Sequence, residues 1–93
     1  MVNRERYVES HSQIVGDAWA QNVALDLRRE QRTAAGGWPG TMSEARARAT
    51  AHFRGLSVSA LTRDELENAA RAVYQRARGR WLAYARTDGE ETE

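Results

Sequence analysis

Two histidines, three tryptophans and fourteen basic residues stand out among the side chains of this 93-residue chain that could do chemistry. His11 and His52 could ligate a metal together with Glu9 or Glu44. Their spacing argues against it. Glu9 and His11 are two residues apart and diverge on a helix, and no histidine lies three or four residues from another histidine or an acid. Both are therefore expected to be buried and hydrogen-bonded, and neither a metal nor a cofactor is expected. The absence of cysteine removes thiol nucleophiles, disulfides and thiolate metal sites. No His-Glu-x-x-His, serine elbow or phosphate loop is present. Gly36-Gly37-Trp38-Pro39-Gly40 is rich in glycine but lacks the lysine and the preceding strand of a P-loop. The chain thus reads as non-catalytic, with no small-molecule substrate in evidence.

Every basic residue is arginine. Arginine forks onto phosphate and guanine, so Arg28, Arg29 and Arg32, with Arg76, Arg78, Arg80 and Arg86, form two candidate nucleic-acid patches. Against this, alanine, arginine and glycine are all favoured by GC-rich codons, and the net charge is only +1. The acids Asp88, Glu90, Glu91 and Glu93 gather at the end of the sequence, which leaves the rest more basic than the total implies. Residues 88–93 offer no apolar side chain and are expected to form a mobile acidic tail after a single domain over 1–87.

The elements that must position these groups are helices. Apolar residues recur in steps of three, four and seven at Tyr7, Val8, Ile14, Val15, Ala18, Trp19 and Leu25. They predict helix 1 over about 4–34, with Asn3 as N-cap and Asp17 on the solvent side. Gly16 could split it, but the stripe keeps its phase, so one continuous helix is expected. Gly36 and Gly37 suit the left-handed position after a helix, Pro39 prevents its continuation, and Thr41-Met42-Ser43-Glu44 has capping-box spacing. Helix 2 follows over about 43–54, with Met42, Ala45, Ala49 and Phe53 inward and Gly55 closing it in a Schellman ending completed by Leu56.

The alternation from Leu56 to Leu61 resembles a strand, yet no second strand exists to pair with it, so a linker is expected. A second capping box, Thr62-Arg63-Asp64-Glu65, opens helix 3 over about 63–86. Its stripe is Leu66, Ala70, Val73, Tyr74, Ala77, Trp81 and Tyr84. Gly79 either permits close packing or faces solvent. The fold class is all-α, a three-helix bundle with a long first, short second and long third helix.

Helix 1 would be roughly 47 Å long at about 1.5 Å per residue, too long for helix 2 to cover. Apolar surface around Tyr7, Val8, Ile14 and Trp19 is then expected to need a partner, either a second copy in a homodimer or a helix of another protein. Trp38 in the turn either plugs the bundle end or anchors a partner, and plugging is preferred. Sequence-tolerant nucleic-acid binding is the alternative. In an up-down-up bundle both arginine clusters fall at one end, but no helix-turn-helix spacing is present. No apolar run reaches the ~20 residues of a membrane span, and no signal-peptide apolar region follows the start, so a cytoplasmic location is expected.

Overall fold

The computed structural model describes residues 3–29, 37–55 and 60–91, with the backbone alone for 85–91. It contains α1 (Arg4–Arg29), α2 (Met42–Arg54) and α3 (Arg63–Glu91), and no strand among the described residues. The expected continuation of helix 1 over 30–34, Gly36, and the linker residues Leu56 and Val58 lie outside the described residues.

Local chemistry accounts for the helix starts. Asn3 Oδ1 accepts the amides of Glu5 and Arg6 at 3.0 and 3.3 Å, capping α1. Thr62 and Glu65 form the complete reciprocal box: the Glu65 amide donates to Thr62 Oγ1 at 3.1 Å, and the Thr62 amide donates to Glu65 Oε1 at 2.9 Å. Thr41 makes half of one. Its Oγ1 accepts the Glu44 amide at 3.1 Å, while the Glu44 carboxylate takes the Thr41 hydroxyl instead of the Thr41 amide.

Two helix ends differ from expectation. Gly37 has φ 81°, the left-handed value expected there. Gly55 does not: its φ of −81° leaves it right-handed, and its amide closes a tight i→i−3 turn onto His52 O at 3.2 Å. Gly55 is therefore not the left-handed residue of a Schellman ending. Helix α3 runs to Glu91 rather than stopping near Arg86, so Asp88–Glu91 belong to the helix. No proline interrupts that stretch, and Gly89 costs only about 1 kcal/mol of propensity.

Helices α1 and α3 lie side by side and parallel. Arg4 Nε meets Glu65 Oε2 at 2.5 Å near their starts, and Arg76 Nε meets Asp17 Oδ1 at 2.7 Å further along. Helix α2 runs back along them, from Trp38 beside Trp19 to His52 beside His11, and Arg46 ties it to Glu67 at 3.0 Å. The core contains Trp19, Ala20, Ala45, Ala49, Phe53, Ala69, Ala70, Val73, Ala77 and Trp81.

On α1 Tyr7, Val8, Val15 and Trp19 pack inward as expected, but the rest of the buried face is shifted from the expected stripe. Ser12, Gly16, Trp19 and Ala20 are buried, with Val23, Ala24 and Leu27 packed beside them, whereas Ile14, Ala18 and Leu25 face solvent. Small residues decide this. A Cβ on Gly16 would stand 2.7 Å from Arg76 Cβ and 2.9 Å from Val73 O, so the missing side chain is what lets α3 approach. Helix α1 is continuous through Gly16, as expected.

Candidate interaction surface

The aromatic end of the bundle is closed from within. Trp38 packs between Trp19, at 5.0 Å between ring centroids, and Trp81, at 5.8 Å. Gly40 lies beneath the indoles, where a Cβ would come within 2.7 Å of Trp19 Cζ2. Trp38 is thus a plug and not an exposed anchor. Its Nε1 is buried with no hydrogen-bond partner among the described residues. Trp19 is 1% exposed and cannot belong to an outer surface. Tyr7 and Val8 are half-buried against the core, with the Tyr7 ring 4.3 Å from that of His11. Of the five residues expected to form an interface, Ile14 is the one that stands clear of the protein.

Arg4, Arg46, Arg76 and Arg80 are engaged by acids of the same chain. Asp17, expected to face solvent, turns to α3 and takes both Nε and Nη2 of Arg76, at 2.7 and 3.3 Å, with Arg80 Nε at 3.5 Å. The hydrogen bond from Arg76 holds the Asp17 carboxyl below its ordinary range. Arg80 also lies 5.7 Å over the Tyr84 ring, and Arg48 sits 5.1 Å over Trp19. Glu65 is pushed down to about 2, first by its hydrogen bond from Arg4 and then by the Thr62 amide. Arg29 and Arg78 are exposed, and Arg28 lines a cleft with Gln21, Ala24, Leu25 and Tyr84. Arg32 and the Arg86 side chain lie outside the described residues.

The histidines meet across two helices. His11 Nδ1 and His52 Nε2 are 2.9 Å apart, hydrogen-bonded as expected. Burial, and then the charge of His11, lower the affinity of His52 for a proton. Among the described residues no set of three or more His, Cys, Asp or Glu side chains converges as a metal site.

What the fold leaves open is a line along α1. Ile14, Ala18, Gln21, Leu25 and Arg28 follow one another in alternating steps of four and three, and all are exposed. Ile14 is 58% and Leu25 53% exposed, the two highest values among the large apolar residues described. The line continues the Tyr7–His11 row, which α2 partly covers through His52 and Phe53. Helix α2 does not follow it further. Leu25 was visible in the seven-residue spacing from Ala18, but it read as core. Leu82, 40% exposed on α3, belonged to no expected stripe. Among the described residues no helix is long and apolar enough to cross a membrane. No protein-family model matches the chain, and no curated protein or solved structure is similar to it.

Proposed function

We propose that this protein is a non-catalytic helical binding module that works by pairing with a second copy of itself through α1. The supporting observation is the exposed Ile14–Ala18–Gln21–Leu25 line. Its alternating spacing is that of a coiled-coil seam, in which such residues sit against a facing helix. The line is also self-complementary. An antiparallel partner centred between Ala18 and Gln21 sets Ile14 of each copy against Leu25 of the other, as a two-fold axis requires. Each Å² of apolar surface so removed from water contributes about 25 cal/mol, against which association entropy must be set. A short seam therefore gives a weak, concentration-dependent dimer.

Sedimentation or light scattering across a dilution series tests this. Wild type should pass from dimer to monomer on dilution, while Leu25→Glu should be monomeric throughout with unchanged helicity. Because Leu25 is exposed, its loss does not disturb the core. A wild type that stays monomeric at the highest concentration reached would overturn the reading. If it then captured a helix of another protein on the same face, the module would be a heterologous adaptor. Nucleic-acid binding, the alternative, has less support, since Arg76 and Arg80 are turned onto Asp17. It requires a mobility shift that weakens steeply with salt.

A further inference from the structure

Towards the C-terminal ends of α1 and α3 lies an open cleft of about 260 Å³, lined by Gln21, Ala24, Leu25, Arg28 and Tyr84. Ala24, Leu25 and Arg28 follow Gln21 by three, four and seven residues, so the four share one strip of α1. Tyr84 is the wall supplied by α3, and it is held in place. The Arg80 guanidinium lies 5.7 Å over the Tyr84 ring, while Arg80 Nε stands 3.5 Å from Asp17 Oδ1. The lining thus joins the apolar side chains of Ala24 and Leu25 to one aromatic ring, one amide and one cation. No acid is among these lining residues, and Asp26, two residues from Arg28, diverges from it on the helix. A second cleft between the same helices, of about 320 Å³, is lined by Glu5, Val8, Glu9, Glu65 and Asn68 and carries carboxylates instead.

We propose that the Arg28–Tyr84 cleft binds a small aromatic carboxylate, with its ring against Tyr84, Ala24 and Leu25 and its carboxylate on Arg28. Charge complementarity sets the sign of the ligand, and the planar fork of a guanidinium matches the two oxygens of a carboxylate. Gln21 brings an amide that can donate to the same group. A phosphate dianion is served better by several cations, and Arg28 is the one arginine in the lining. Volume sets the size. The cleft lies below the roughly 300–1,000 Å³ of sites for drug-sized ligands, so it takes one ring on a short arm and no larger polycycle. So few contacts in an open cleft give an affinity in the millimolar range. The site does not rest on self-pairing, although Leu25 belongs to both, so the ligand and a second copy compete for that face.

The test is an NMR titration of the isotope-labelled full chain with phenylacetate. Signals of Gln21, Ala24, Leu25, Arg28 and Tyr84 should shift together and saturate at millimolar ligand. Phenethylamine, which keeps the ring and reverses the charge, should leave them in place over the same range, and so should acetate, which lacks the ring. Arg28→Gln should weaken binding about tenfold and Arg28→Lys by less, since a charge remains without the fork. Arg29→Gln, on the neighbouring arginine, should change nothing. Both arginines are exposed, so neither substitution touches the core. An equal response to phenethylamine, shifts centred elsewhere, or equal weakening by Arg29→Gln would each overturn the site. Ile14→Glu removes the self-pairing contact and lies outside the cleft, so that chain should bind phenylacetate at least as tightly as wild type. Loss of binding there would also overturn the site, whereas a monomeric wild type that still binds would overturn the pairing alone.

Discussion

Two glycines in α1 and α3 show how differently one residue type can act. Gly16 lies at the closest approach of the helices, where an added Cβ would meet Arg76 Cβ and the Val73 carbonyl. Gly16→Ala should therefore cost about 1–3 kcal/mol through overpacking, despite the better helix propensity of alanine. Around Gly79 nothing lies within 4 Å, and its backbone is ordinary helix. Gly79→Ala should stabilise by about 0.5–1 kcal/mol. Urea unfolding of both variants measures the two signs. Equal effects would mean that α1 and α3 do not meet at Gly16.

Among the elements, the turn from Trp38 to Thr41 carries the most packing for its length. The Trp38 ring joins Trp19 to Trp81, yet its Nε1 is buried with no partner among the described residues. An orphaned donor costs about 1–3 kcal/mol, so Trp38→Phe, which keeps most of the ring and removes the N–H, should be close to neutral. Trp38→Ala should destabilise by about 3 kcal/mol, at the low end for a large aromatic because the ring is only half-buried. The contrast in denaturant midpoints separates packing from hydrogen bonding. Thr62 offers a second test. It holds both sides of the α3 capping box, and Thr62→Ala should cost about 1 kcal/mol.

At the scale of the molecule, the body measures 50 × 23 × 18 Å, and ion pairs tie its helices together along that length. Glu65 reaches Arg4, Glu67 reaches Arg46, and Asp17 reaches Arg76. All three carboxyls are held below their ordinary range, Glu65 at about 2, by hydrogen bonds from their arginines. A carboxyl depressed by folding adds stability that is fully present above its unfolded pKa and disappears as pH falls through the folded one. These carboxyls should thus add a decline in stability below about pH 4.5, Glu65's extending to about 2, beneath a decline that His52, depressed by burial, begins as pH falls through about 6.5. Thermal midpoints across that range check the window. Arg4→Gln should flatten the decline, because Glu65 then regains a more ordinary affinity for protons.

Helix number, order and starts were legible in the residues. Capping at Asn3 and Thr62 is local chemistry, set by side chains two or three positions from the amides they accept. The same holds for Gly37, whose positive φ is one that glycine adopts without strain. The end of α3 was less legible, since no residue after Arg86 forbids a helix and continuation costs little per residue. Where the edge of the buried face of α1 falls was decided only by the tertiary structure. Periodicity marks large apolar residues: it placed Tyr7, Val8, Val15 and Trp19 inside correctly, but also drew in Ile14, Ala18 and Leu25, which are exposed. The parallel packing of α3 on Gly16 selected a neighbouring stripe of small residues, because close approach of two helix backbones is worth more contact than the burial of isolated large side chains. That shift placed Asp17 against Arg76, brought His11 to His52 across 41 residues of sequence, and left Ile14 and Leu25 in water.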